Sequence, residues 1–308
     1  MDEKRLQVYF EIINQLLTNA SSEEEATTLN AEPQYVDAGL VQTMIEVAKG
    51  FSQEGNEDIA EFLLSAATQL ADVLELSLTD FGAENQNDLL VQALLVTEET
   101  EGSPEVVYPL LHKNIELLDD KFAEVLRNWV IDAISQSSTE QGEDIAATIG
   151  IFSSLIQEFP LGKRVHNLEI AIAGYESIHS LFTHDKYPEQ WAATQYNLGN
   201  AYGDRINGEK AENIEKAIHC YQSALKVHTR ETYPYEWAMI HNNLGTAYSN
   251  RVKENKMQNL NKASHHYETA LLVHTQQAYP DEWKMAQNNL AAVNQQKAQR
   301  INIHQSRD

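Results

Sequence analysis

Apolar positions recur with a helical period along most of the chain. Leu6, Tyr9, Phe10, Ile13, Leu16 and Leu17 share a stripe, which predicts an amphipathic helix over residues 1–19. Asn19-Ala20-Ser21-Ser22 interrupts it, and Ser22 with Glu25 forms a capping-box pattern for a short helix ending near Glu32-Pro33. From Asp37 to about Leu76 the pattern predicts two helices broken at Gly55-Asn56. Further helices are predicted from Asn87 to about Thr97, from Ser103-Pro104-Glu105 to about Lys113, and from Asp119 to Gln136. Ser137 to Gln141 reads as a polar break, with residues 143–158 and 163–184 as the next pair.

Beyond residue 186 the pattern becomes periodic at a larger scale. Tyr187-Pro188-Glu189-Gln190-Trp191 recurs as Tyr233-Pro234-Tyr235-Glu236-Trp237 and Tyr279-Pro280-Asp281-Glu282-Trp283, each 46 residues after the last. Asn197-Leu198-Gly199-Asn200-Ala201-Tyr202 recurs as Asn243-Leu244-Gly245-Thr246-Ala247-Tyr248, and then in decayed form from Asn289. A fixed long period around a Leu-Gly-x-x-Tyr core is the mark of stacked helical hairpins. Asn167, Asn213 and Asn259, and Tyr175, Tyr221 and Tyr267, keep the same step, so a worn copy precedes the full ones. The repeats are therefore 141–186 (degenerate), 187–232, 233–278 and a terminal cap helix over 279–303, forming an array at 141–308. Residues 1–140 are an acidic helical segment.

Ala48, Ala60 and Ala67 fall on the small positions of the tetratricopeptide template and Gly55 on its turn, giving one hairpin at 41–74. The expected fold is all-α, a right-handed tetratricopeptide-like α-solenoid. Against a template of about 34 residues, the longer repeat places extra residues in the turn around Ile206–Glu212 and in an extended second helix. Pro188, Pro234 and Pro280 suit the first helical position. Trp191, Trp237 and Trp283, each one turn later, read as structural, as do Gly199, Gly245, Tyr202 and Tyr248. Burying one indole contributes at most ~4–6 kcal/mol.

Charge divides the chain unevenly. Residues 1–160 hold 6 Lys/Arg against 31 Asp/Glu, whereas residues 161–308 hold 16 against 15. The break lies at Phe159-Pro160-Leu161-Gly162. Such an acidic half repels phosphate backbones and anionic bilayers, which argues against nucleic acid and membrane as primary ligands and leaves solubility or a basic partner as its reason. Cys220 is the sole cysteine, so no intrachain disulfide forms, and with no signal-peptide pattern or spanning apolar run the expected location is cytoplasmic.

Asn242 to Arg251, with Asn213-Ile214-Glu215-Lys216-Ala217-Ile218, resembles the long tetratricopeptide repeats of bacterial, notably cyanobacterial, TPR–CHAT proteins. Val36–Val41, Leu126-Arg127-Asn128-Trp129 and Phe159-Pro160-Leu161-Gly162 extend the resemblance to the helical region before those repeats. In that family a caspase-like CHAT protease domain commonly follows the repeats. With the chain ending at Asp308, no such domain and no catalytic residue are expected in it.

The candidate site is the groove face of the first helices: Tyr196, Asn197, Asn200, Asn242, Asn243, Thr246, Asn250, Asn288 and Asn289. An amide both donates and accepts, so a ladder of them suits an extended peptide backbone. The competing expectation is that these amides bond neighbouring helices. The lysines that clamp a terminal carboxylate in chaperone-binding repeats are replaced by Tyr196, Asn242, Asp204 and Asn250, which disfavours a carboxylate ligand. Arg205 and Arg251 are expected to answer a helix C-terminal dipole and an intramolecular acid. His228 and His274 align with Phe182 and are expected to pack; His265-His266 diverge on a helix and make a poor metal site. Cys220 beside His219 is not a nucleophile motif. No metal, cofactor or catalytic residue is expected. The expected function is a scaffold or adaptor for a protein or peptide, the resemblance implies a role alongside a CHAT-type protease or in signalling, and a small-peptide sensor is the alternative; self-association is left open.

Overall fold

The computed structural model describes residues 3–18, 29, 32–53, 56–74, 83, 85–179 and 181–305. All regular structure among them is helical, in thirteen α-helices and two 3-10 turns. Contacts separate the chain into two compact units, Met1–Gln92 and Ala93–Asp308. The division at 140/141 is one of repeat pattern and rests on sequence alone.

The first unit contains α1 (Glu3–Thr18), a 3-10 turn (Pro33–Tyr35), α2 (Ala38–Gln53) and α3 (Glu57–Val73). Helices α2 and α3 pack together, and α1 packs on α2. Ala48 and Ala67 are fully buried between larger side chains such as Met44, Leu63 and Leu70, as close helix approach requires. The Ser22–Glu25 capping box and Gly55 lie outside the described residues, as does the Ala60 side chain. Asp37 caps α2: Oδ1 accepts from the Gly39 and Leu40 N–H groups at 2.9 and 3.1 Å and from the Tyr9 hydroxyl at 2.7 Å. Arg5 pairs with Asp37 and donates to the Tyr9 oxygen at 2.7 Å.

Helix α4 (Gln86–Glu99) contains the boundary between the units. The second unit continues with α5 (Pro104–Lys113), α6 (Asp120–Gln136), α7 (Thr139–Glu158), α8 (Arg164–Ile178), α9 (Pro188–Asp204), α10 (Lys210–Ala224), α11 (Pro234–Asn250), α12 (Lys256–Ala270) and α13 (Pro280–Gln305). Asp119 caps α6 through the Lys121 and Phe122 N–H groups. Ser138 opens α7 in a reciprocal box with Gln141, so most of the stretch expected to be a polar break is the start of a helix.

Helices α7–α8, α9–α10 and α11–α12 are hairpins, and α13 packs on α12. Each first helix also touches the first helix of the next hairpin, and each second helix touches it too. This nearest-neighbour pattern is that of an α-helical repeat. The second helices end at Ile178, Ala224 and Ala270, short of the extension expected to about residue 184 and its equivalents. After Ala224 the backbone tightens to three-residue bonds, Lys226 N–H to Ser223 and Val227 N–H to Ala224, and the same occurs after Ala270. Part of the extra length therefore lies in the connectors 225–233 and 271–279.

The signature residues join hairpin to hairpin. Tyr187, Tyr233 and Tyr279 precede each proline, and their carbonyls accept the Trp191, Trp237 and Trp283 N–H groups at 2.9 Å. The Tyr187 and Tyr233 hydroxyls reach back to Glu143 and Glu189 in the preceding first helix. Where that acid is replaced by Tyr235, Tyr279 packs on its ring at 5.1 Å instead. Trp191 is buried, while Trp237 and Trp283 are half-buried. Gly199 and Gly245 lie flat on the Tyr221 and Tyr267 rings: a Cβ there would stand 2.7 and 2.6 Å from a ring carbon. Asn167, Asn213 and Asn259 each donate to two carbonyls of the turn before them, satisfying groups left free at the end of a helix.

Candidate binding face of the first helices

The sequence assigns α9, α11 and α13 one face for ligand contact, and the structure treats its members differently. Asn243 Nδ2 donates to Asn200 Oδ1 at 2.9 Å and to the Tyr196 hydroxyl at 3.4 Å. Asn200 Oδ1 also accepts from the Tyr221 hydroxyl at 2.9 Å. Tyr196, Asn200 and Asn243 are thus tied to one another across two hairpins. Asn242 is buried, with Oδ1 unpartnered. Thr246 is exposed but shares its hydroxyl with Tyr267 at 3.0 Å. Asn250 and Asn288 are exposed, and Asn197 and Asn289 half-buried. The amide ladder is therefore part joint and part open surface, because a side chain pointing from one first helix towards the next finds a partner there before it finds solvent.

A cavity of about 390 Å³ opens on the same face, on the helix pair before the ladder. Helix α7 supplies Ala146, Ala147, Gly150, Ile151, Ser154, Leu155 and Glu158; α9 supplies Gln190, Ala193, Thr194 and Asn197. Tyr175, Ile178 and Phe182 form further wall, and Gly102, at the turn before α5, closes one side. The lining is mainly apolar, with a few polar atoms at fixed places, the usual make-up of a small-ligand site. The Tyr175 hydroxyl is buried and makes no hydrogen bond, although the Ser154 hydroxyl lies near enough to moderate its acidity. Burial pushes the Tyr175 phenol well above its ordinary value, so it remains a donor. Only Asn197 of the proposed ladder residues borders this cavity. Sequence reasoning read Tyr175 only as a repeat position and passed over Gly150 and Ser154, although one repeat length before Tyr196 and Asn200 stand a glycine and a serine.

The other side chains singled out in the sequence mostly serve packing. Arg205 and Arg251 grip Glu169 and Glu215 of the preceding hairpin, which identifies the intramolecular acid expected for them. Phe182, His228 and His274 meet the Tyr187, Tyr233 and Tyr279 rings at 5.7, 5.0 and 5.6 Å. His266 turns from His265 to His241, Nδ1 to Nδ1 at 2.9 Å. Burial, helped by the nearby Glu176 charge, pushes the Cys220 thiol up to about 12, so it is a protonated, inert thiol at neutral pH. Among the described residues no three His, Cys, Asp or Glu side chains are placed to hold a metal ion, and no helix is long and apolar enough to cross a membrane. No protein-family model matches the sequence, and no curated protein matches it.

Proposed function

We propose that the second unit is a tetratricopeptide-like α-solenoid serving as a non-catalytic scaffold, whose first-helix face, concave in such a superhelix, holds a peptide or partner helix. The observation that carries this reading is the open cavity on that face beside Asn197, continued by the uncommitted amides of Asn250, Asn288 and Asn289. Amides of this kind can pair with the backbone of an extended segment while the hollow takes a side chain. The resemblance to TPR–CHAT recognition regions supports a cytoplasmic role beside a CHAT-type protease or signalling system.

The test is recovery of partners by the full chain from its native host, compared with a variant carrying Asn197→Arg, Asn250→Arg and Asn288→Arg. A second variant with Lys216→Glu and Glu268→Arg, on exposed positions of the second helices, serves as control. Loss of the partner from the first variant alone supports the reading. Unchanged recovery with both removes it.

A further inference from the structure

Successive repeats align in sequence at a step of 46 residues, and the step shows what the cavity lacks. In the first full repeat Tyr196 occupies this place. Its ring lies 6.3 Å from that of Tyr221, and its hydroxyl receives Asn243 Nδ2 at 3.4 Å. One step earlier Tyr221 becomes Tyr175 and Asn243 becomes Asn197, but Tyr196 becomes Gly150. A Cβ built on Gly150 would have a single neighbour within van der Waals range, Ile178 Cδ1 at 3.4 Å. The partner that Tyr221 finds in Asn200 is also missing, because the shorter Ser154 stands there. The worn repeat thus keeps both contacts of a phenol and has lost the phenol.

We propose that this cavity binds a phenolic ring from outside, the side chain of a tyrosine in a basic peptide segment. The ring seats against Tyr175 in the manner of Tyr196 on Tyr221. Asn197 donates to its hydroxyl, and the unpartnered Tyr175 hydroxyl gains a partner in the ligand's polar atoms. The charge of the surroundings selects the flanks of the peptide. Glu158 lines the cavity, Glu101 adjoins Gly102, and α7 carries Glu140, Asp144 and Glu158 besides Glu143, which is paired with Lys186 at 3.2 Å. A lysine- or arginine-flanked tyrosine is therefore favoured over an acidic one. This inference rests on the proposed binding face and specifies one anchor on it.

Titration calorimetry with the full chain tests it. The probes are p-cresol, toluene, and a pentapeptide of tyrosine flanked by two lysines on each side, with its phenylalanine and glutamate-flanked counterparts. Cresol and the lysine–tyrosine peptide should bind, and the phenylalanine peptide about tenfold more weakly for want of a hydrogen bond. Low-salt preference for the lysine flanks assigns a peptide as the source of the phenol; equal affinity of bare cresol at all salt concentrations assigns a free phenol. Gly150→Tyr fills the cavity with the chain's own phenol and should abolish binding. Ser154→Asn, which gives Tyr175 the partner that Tyr221 has, should weaken it about tenfold. Both are checked for an unchanged melting transition, and either suffices if the other fails to fold. Silence of cresol and peptide on the wild-type protein, or wild-type affinity in a folded variant, overturns the proposal. A host partner recovered equally by wild type and Gly150→Tyr removes this anchor while leaving the broader face reading in place.

Discussion

Arg251 holds Glu215 of the preceding hairpin through two parallel bonds, Nε to Oε1 at 2.6 Å and Nη2 to Oε2 at 2.7 Å. Arg205 does the same to Glu169 one repeat earlier, at 2.8 and 2.7 Å. The planar fork fits a carboxylate in a way a lysine cannot. The Arg251 bond, outweighing burial, holds the Glu215 carboxyl below its ordinary value. Its contribution is therefore complete above the unfolded value near 4.3 and lost as pH falls through the lower folded value. Arg251→Ala leaves a partly buried carboxylate alone and should destabilise the repeats by about 2 kcal/mol. Arg251→Lys should recover less than half of that. Urea unfolding at pH 7 measures both, and a lysine variant as stable as wild type would contradict the bidentate account.

Three glycines on first helices separate close packing from vacancy. A Cβ at Gly245 would stand 2.6 Å from a Tyr267 ring carbon, and one at Gly199 2.7 Å from the Tyr221 ring. Both tyrosines are buried and cannot swing aside. Gly245→Ala or Gly199→Ala should each cost about 1–3 kcal/mol through overpacking. Gly150→Ala meets only a methyl group at ordinary contact distance, and should stabilise by about 0.5–1 kcal/mol through helix propensity. Thermal unfolding of the three variants should therefore give opposite signs, and a stabilised Gly245→Ala would refute the packing described.

The all-helical fold was legible in the sequence because periodic apolar stripes and the 46-residue echo require no long-range information. Pro188, Pro234 and Pro280 mark helix starts for a local reason, their fixed backbone angle, and the helices begin there. Less legible was anything decided between hairpins. Asn243 and Asn289 are identical in sequence, yet Asn243 has Tyr196 and Asn200 before it, whereas Asn289 has Asn242 and Thr246. The end of the second helix at Ala224 was missed because Leu225 to Thr229 is helix-compatible in composition and turns only through its tightened bonds. The cavity was missed for a different reason: a glycine in a helix reads as a weak position, and only alignment to Tyr196 turns it into a missing ring.

In the first unit, Tyr9, a residue 1% exposed, bridges Arg5 and the helix cap Asp37. Burial alone would raise the Asp37 carboxyl, yet bonds from Tyr9, Arg5 and the Leu40 N–H hold it below its ordinary value. Tyr9→Phe removes the hydroxyl that both neighbours share and should destabilise this unit by about 1–2 kcal/mol. Hydrogen exchange reads the effect locally: amides of α1 and α2 should exchange about 5–30-fold faster, while those of α10 and α12 keep their rates. Unchanged exchange in α1 would remove the bridge as a source of stability.

His241 and His266 give the second unit a sensitivity to acid. Their Nδ1 atoms are 2.9 Å apart, with Trp237 against His241 and Tyr248 stacked on His266. Burial is the main cause that holds both rings down to about 4, and His265 and, for His266, Lys262 add like charge. The unfolded chain takes up these protons near pH 6.5, the folded one only near pH 4. Stability due to the neutral pair is thus complete above pH 6.5 and declines as pH falls between the two values. Gln195 occupies the place of His241 in the preceding repeat, with Cys220 in the place of His266, so that helix position already accepts a glutamine. The variant should match wild type at pH 7.5 within about 1 kcal/mol and lose less stability by pH 5. The interval from pH 6.5 to about 5 separates this effect from carboxylate protonation, which begins lower. Melting temperatures taken in half-unit steps across that interval decide it, since parallel pH slopes for wild type and His241→Gln would show that the imidazole pair carries no proton linkage.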